Sequence, residues 1–176
     1  MTNVWLIADL HLNHAKILDF EPCRGIFDSI REHDAAIIDR LNEYVKPKDS
    51  LMILGDLYFG HADDYFKNCM RKLPGIKSLV LGNHDLFDPR EYLYEFSWVG
   101  AYKIKHQCVY SHVPLHPDSV TRWGRNVHGH LHSHHVMKVV DGFRIPDRRY
   151  HCVSVETKAP EIGRPWHLDE IRSIME

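Results

Sequence analysis

Five short, mostly apolar stretches that read as strands each lead into a cluster of aspartate, asparagine or histidine. Val4 to Ala8 runs into Asp9-Leu10-His11, Ser50 to Leu54 into Gly55-Asp56, and Ile76 to Leu81 into Gly82-Asn83-His84-Asp85. Val109-Tyr110-Ser111 runs into His112, and Asn126-Val127 leads to Gly129-His130-Leu131-His132. Runs this short and this apolar suit strands buried on both faces of a largely parallel sheet. In open α/β sheets, ligands gather outside the carboxyl ends of the strands. The pattern therefore predicts an α/β fold that delivers all five clusters to one place.

The segments between the runs fit that fold. Ser29 to Val45 reads as a helix: Ser29 and Glu32 have capping-box spacing, Ala35, Ile38, Leu41 and Val45 recur at helical intervals, and Pro47 ends it. Ala62 to Leu73 reads as a second helix, closed by Pro74-Gly75. Strand, helix, strand, helix, strand is the order of a βαβ core. The second half changes character, with strands expected at Gln107 to Ser111, Val136 to Val140 and Tyr150 to Val155, and a short helix from Leu168 to Met175. A sandwich with a second, more mixed sheet follows. No repeat, low-complexity tract or linker divides residues 1–176, which are read as one domain.

Composition narrows the function classes. Lys and Arg sum to 22, Asp and Glu to 24, giving a net charge of -2, so no strong basic field exists to hold a long duplex nucleic acid. No apolar run has the length of a membrane span, and the N-terminus lacks the pattern of a signal peptide, so a cytoplasmic protein without a membrane partner is expected. The four cysteines lie far apart with no C-x-x-C pair, which suits reduced thiols. Histidine stands out. The chain has 15, dispersed rather than run together as a tag, against roughly 4 for an average composition.

Those histidines and their neighbours match a two-metal site. Asp9, His11, Asp56, Asn83, His112, His130 and His132 supply two carboxylates, one amide oxygen and four imidazoles. Such mixed nitrogen and oxygen donors suit manganese, iron, zinc, cobalt or nickel better than magnesium or calcium. On an extended backbone Asp9 and His11 would project to one side, as would His130 and His132. Two divalent ions would outweigh the two aspartates, leaving a net positive site that attracts a phosphate anion. Gly55, Gly82 and Gly129 each precede a donor where the strand must turn, which calls for unusual φ and close backbone approach.

Taken together, Asp9-Leu10-His11, Gly55-Asp56, Gly82-Asn83-His84-Asp85, Ser111-His112 and Gly129-His130-Leu131-His132 resemble the motif set of the calcineurin-like metallophosphoesterases. The resemblance covers roughly residues 4 to 135, and the length is that of the small single-domain bacterial and phage members. It implies a four-layer α/β/β/α sandwich of two mixed sheets flanked by helices. It implies one ion on Asp9, His11, Asp56 and His132, and another on Asp56, Asn83, His112 and His130, with Asp56 as the bridge. It further implies a bridging hydroxide as nucleophile, His84 as general acid, and Asp85 orienting His84 through a hydrogen bond. Manganese is the first choice of metal. The Asp-Arg-Gly of the protein phosphatase branch is missing, since Asp56 is followed by Leu57-Tyr58-Phe59-Gly60.

Four further residues are candidate substrate contacts. His14, three residues past His11, could reach the mouth of the site or simply be a solvated loop histidine. Arg24 could fork onto phosphate oxygens, with an ordinary surface arginine as the plain alternative. Trp123, with Arg122, lies between His112 and His130, so the loop is expected to return near the metals; Trp123 could stack on a base or cover the core. The expected activity is hydrolysis of a small phosphoester or nucleotide, diesters before monoesters. A small single-strand nuclease and a non-catalytic interaction scaffold of the same fold are the alternatives.

Overall fold

A computed structural model describes residues 2–175. In chain order the elements are β1 (Val4–Ile7), α1 (Ile17–Phe20), α2 (Ile30–Tyr44), β2 (Ser50–Leu54), α3 (Asp64–Lys72), β3 (Ile76–Val80), α4 (Pro89–Leu93) and β4 (Trp98–Gly100). Then follow β5 (Tyr102–Lys105), β6 (Cys108–Ser111), α5 (Pro117–Thr121), β7 (Arg125–His128), β8 (Met137–Val140), β9 (Phe143–Pro146), β10 (Tyr150–Cys152), β11 (Trp166–His167) and α6 (Leu168–Met175). Two 3-10 turns, Pro22–Arg24 and Val155–Lys158, complete the path.

Two sheets stack. The first has the order β11-β1-β2-β3-β4, parallel except for β11, and the second has the order β10-β7-β6-β5, parallel except for β5. The central strands of the first sheet are mostly apolar because both faces are covered, with Ser50, Lys77 and Ser78 as the polar exceptions. Ile7, Leu51, Ile53 and Leu79 face Ile37, Leu41, Phe66 and Met70 of α2 and α3. Leu6, Ala8, Met52, Leu54 and Val80, the alternate residues, face Cys108, Tyr110 and Val127 of the second sheet. Each fully buried aliphatic side chain of this kind contributes about 1.5–3 kcal/mol. Leu168, Ile171 and Met175 of α6 close the inter-sheet layer beside β1 and β10. The outer layer on the second sheet is thin and includes α5, which packs on β7. The result is a sandwich of two mixed sheets with helices on the outside.

The predicted N-cap of α2 is found: the Ser29 hydroxyl accepts from the Glu32 amide at 3.2 Å, and the helix starts one residue later. α3 begins at Asp64 rather than Ala62, because the Asp63 carboxylate caps it by accepting from the Phe66 amide at 2.8 Å. Two expectations fail. Residues 137–140 do not join the second sheet; β8 pairs only with β9, in an exposed hairpin turning at Asp141-Gly142, both at positive φ. The strand expected over Tyr150 to Val155 stops at Cys152, because Ser154 leaves its sheet to bridge Ala8 after β1. Among the described residues no helix is long and apolar enough to cross a membrane.

Candidate metal centre

β1, β2, β3, β6 and β7 all present their carboxyl ends to one edge of the sandwich, and the five polar clusters meet there. The backbone that carries them is not extended. Asp9 (φ +57), His11 (φ +48), Asp56 (φ +52), His130 (φ +67) and His132 (φ +50) all take left-handed conformations. Each such non-glycine residue costs on the order of 1–3 kcal/mol and persists only where its surroundings over-determine it. The expectation that Asp9–His11 and His130–His132 project together from extended chain is thus corrected. They are brought together by left-handed turns.

Hydrogen bonds hold those turns. The amides of Asp9 and His11 donate to the carbonyls of Gly55 (3.0 Å) and Asp56 (2.9 Å), which locks the loop after β1 to the loop after β2. The Asp9 carboxylate accepts from the His130 amide at 2.9 Å and from Ser154 Oγ at 2.6 Å, tying the second sheet to the first. Asp85 accepts from the amides of Asp56 (2.9 Å), Leu57 (2.9 Å) and Gly82 (2.7 Å). No hydrogen bond from the His84 ring to Asp85 is found among the described residues, so the expected orienting contact is corrected: the Asp85 carboxylate is occupied by backbone amides. The glycine expectation is also refined. Gly55 has φ +87, but Gly82 and Gly129 do not have positive φ and are needed for space. A Cβ at Gly129 would lie 2.5 Å from Ala8 Cβ and 2.6 Å from Asp9 Oδ2, and one at Gly82 would overlap Asp56 Oδ1.

Six of the predicted donors fall into two clusters that could each hold a metal ion, Asp9, His11 and His132 in one and Asp56, His112 and His130 in the other, and His132 also groups with Glu21 and Glu156, the donor atoms of each group all lying within 4.8 Å of one another. Asp56 Oδ1 accepts from the His84 amide at 2.9 Å. Its other oxygen, Oδ2, lies 3.6 Å from His11 Nε2 and 3.3 Å from His112 Nε2, between the clusters. His112 Nδ1 meets the Leu54 carbonyl at 2.9 Å, which directs Nε2 toward Asp56 and toward Asn83 Oδ1 at 2.9 Å. His11 Nε2 is buried with no hydrogen-bond partner. An orphaned buried ring nitrogen facing a carboxylate oxygen in a mixed nitrogen and oxygen donor set fits a divalent ion.

The titration of these side chains reflects their crowding and burial. Burial pushes Asp9 up to about 6 against the pull of His112 and His132. Burial, reinforced by Arg24, pushes His11 down to about 3. Burial opposes protonation of His112, but its hydrogen bond to Asp56 and the charge of Asp9 outweigh that and raise it to about 9.

A profile of the calcineurin-like phosphoesterases matches residues 2–168. The chain belongs to this family. The two donor clusters fit a metal-binding member of this family. Among similar proteins, MJ1445 of Methanocaldococcus jannaschii is 29% identical over 157 residues, covering 89% of this chain and 83% of that one. The gene 66 protein of Mycobacterium phage L5 is 33% identical over 87 residues, which are 48% of this chain but only 41% of the phage protein. The chain thus matches about two fifths of that relative's length. The crystal structure of AQ665 from Aquifex aeolicus aligns at a TM-score of 0.71 with 25% identity, over 99% of this chain and 100% of that one.

The remaining predicted residues divide sharply within this calcineurin-like frame. His14 is at the site: its Nδ1 lies 3.2 Å from His11 Nδ1 and its ring stacks on Phe59 at 4.2 Å. The His84 ring stands 5.6 Å from that of His11 and 5.4 Å from that of Phe59, at the rim. Arg24 is not a phosphate clamp. It is fully buried, and its guanidinium donates to Glu156 Oε1 and to the carbonyls of Leu10 and Asp9. Arg122 and Trp123 do not return to the metals. β6 and β7 are parallel, so the crossover must bring the chain back to the amino end of β7 at Arg125, and both residues sit there, Arg122 exposed and Trp123 half-buried. His134 and His135, outside the donor set, are exposed. Sequence reasoning missed Phe59, Ser154 and Glu156. The last two follow β10 and obey the same strand-end pattern as the recognised clusters.

Proposed function

We propose that this chain hydrolyses small phosphodiesters, nucleotides among them, with two divalent transition-metal ions, manganese the first choice. One ion would be held by Asp9, His11, Asp56 and His132, the other by Asp56, Asn83, His112 and His130. The observation that carries this reading is the position of Asp56 Oδ2, 3.6 Å from a ring nitrogen of one cluster and 3.3 Å from a ring nitrogen of the other. The ions, when bound, supply Lewis acidity and a water activated near neutral pH. The chain's own contribution is positioning. Asp9 and Asp56 hold the donor loops through the His130 and His84 amides, so a ligand phosphate meets a fixed set of groups. His84 stands at the rim with no hydrogen bond from its ring among the described residues, free to donate a proton to the leaving oxygen. Phe59 and His14 stack beside it and form the wall against which a leaving group would rest.

Diesters are favoured because Arg24, the candidate clamp for a dianion, is buried and turned to Glu156. The placement of Trp123 and Arg122 at the amino end of β7 leaves the single-strand nuclease reading without its stacking residue. All four cysteines are unpaired, which supports a reducing, cytoplasmic setting. The test is hydrolysis of bis-nitrophenyl phosphate against nitrophenyl phosphate by manganese-loaded protein. The diester should turn over faster. Two bound ions with turnover of neither ester would overturn the enzymatic reading.

A further inference from the structure

The two metal positions are supported by different chemistry, and the difference lies in the buried pair Arg24–Glu156. Arg24 Nε donates to Glu156 Oε1 at 2.6 Å, Nη1 to the Leu10 carbonyl at 3.0 Å, and Nη2 to the Asp9 carbonyl at 2.5 Å. Nη1 also lies 3.1 Å from His33 Nε2, and His33 Nδ1 lies 2.9 Å from Asp34 Oδ1. Asp34 Oδ2 in turn accepts from the Asn13 amide at 2.9 Å and the Tyr65 hydroxyl at 2.7 Å. The guanidinium is therefore fully engaged, and it grips the left-handed Asp9-Leu10-His11 turn by two carbonyls. The other end of the pair reaches the loop after β7: Glu156 Oε1 is 3.1 Å from His132 Nδ1, an ion-pair contact to a buried ring nitrogen that has no hydrogen-bond partner of its own. Asp9, His11 and His132, the whole first cluster, thus trace back to one ion pair. The second cluster touches neither residue, and its buried His112 rests on a neutral acceptor, the Leu54 carbonyl.

We infer that Glu156, held by Arg24, is the positioning residue for one metal position alone, the one built from Asp9, His11 and His132. With His132 Nε2 as the donor to the ion, Glu156 would stand on its non-ligating Nδ1, where a carboxylate fixes the ring's tautomer and orientation and raises its basicity. Removing such a carboxylate typically lowers metal affinity 10–100-fold. This inference rests on the two-ion reading above.

The test is titration of the metal-free full chain with Co(II), followed by calorimetry and by the visible absorption that reports each ion's coordination. Wild type should bind two ions. Glu156→Gln, which keeps an oxygen for Arg24, should bind one ion as wild type does and the other about 10–100-fold more weakly, with the absorption of only that site altered. Glu21→Gln is the second variant, since Glu21 Oε1 lies 3.5 Å from the same His132 nitrogen at a half-buried position outside the ion pair. It should weaken the same ion by a smaller factor. Equal weakening of both ions, together with a lower melting temperature of the metal-free protein, would reduce Glu156 to a structural role and overturn the inference. So would unchanged binding in both variants. A wild type that takes fewer than two ions would overturn the two-ion reading itself, and the inference with it.

Discussion

The loop after β1 and the loop after β2 face the same problem and solve it with opposite charges. Each must hold an aspartate at positive φ, Asp9 at +57 and Asp56 at +52. Around Asp9 a buried cation, Arg24, collects carbonyl oxygens. Around Asp56 a buried anion, Asp85, collects three amide N–H groups. In both cases a charged side chain takes up backbone groups that an irregular loop would otherwise leave unpaired, where each costs about 1–3 kcal/mol. The site-forming strain is thus stabilised from behind, and the side chains in front are left free for ligands.

The largest expected effect is Asp56→Asn, which strikes where the two loops converge. It removes the negative charge shared by both clusters, so metal titration should show both ions weakened, whereas His132→Ala should weaken one. Tight retention of both ions by Asp56→Asn would break the comparison at its centre. His84→Ala comes next. It should keep both ions and lose roughly 10²–10⁴-fold in rate on an alkyl or ribose ester, and less on a nitrophenyl ester, whose leaving group needs no proton. Equal losses on both esters would remove the proton-donor role. Asp85→Ala sharpens the comparison further. Three buried amides lose their acceptor, so the metal-free protein should be destabilised by a few kcal/mol in denaturant unfolding, and activity should fall through loss of Asp56 placement. A change within about 0.5 kcal/mol, the range of an ordinary surface substitution, would show that the Asp56 loop does not need its anion.

The smallest effect is in pH. Protonated His112 is raised from its usual 6.5 to about 9 by Asp56 and Asp9 in the metal-free protein. Its stabilisation is complete below about 6.5 and is lost as pH rises through about 9. A metal ion must displace that proton. The melting-temperature gain on metal loading should therefore grow from pH 6.5 to pH 9, as metal affinity rises by up to about tenfold per pH unit. A gain that is flat or falls across that window would contradict the raised His112.

Much of the fold was legible because burial on two faces leaves a plain sequence mark. Leu51, Met52, Ile53 and Leu54 must all be apolar when helices cover one face of β2 and a second sheet the other. The six candidate donors that the structure groups were legible because each follows such a run. What escaped the sequence depends on pairing across distance. Arg24 looks like any loop arginine until the chain brings Glu156 to it from 132 residues away. Asp85 sits beside His84 in sequence, yet its carboxylate turns to amides of the β2 loop. Trp123 is close to His130 in sequence but not in space, because a crossover between parallel strands must return to the opposite end. The left-handed turns at Asp9, His11, His130 and His132 leave no mark, since none is a glycine.

The central claim is a two-ion centre organised around one oxygen of Asp56. Anomalous diffraction from crystals of the manganese-loaded protein tests it most directly. The account predicts two peaks about 3.5–4 Å apart, one beside Asp9, His11 and His132 and the other beside Asn83, His112 and His130, with Asp56 between them. A single peak under saturating manganese, or two peaks that do not share Asp56, would contradict it.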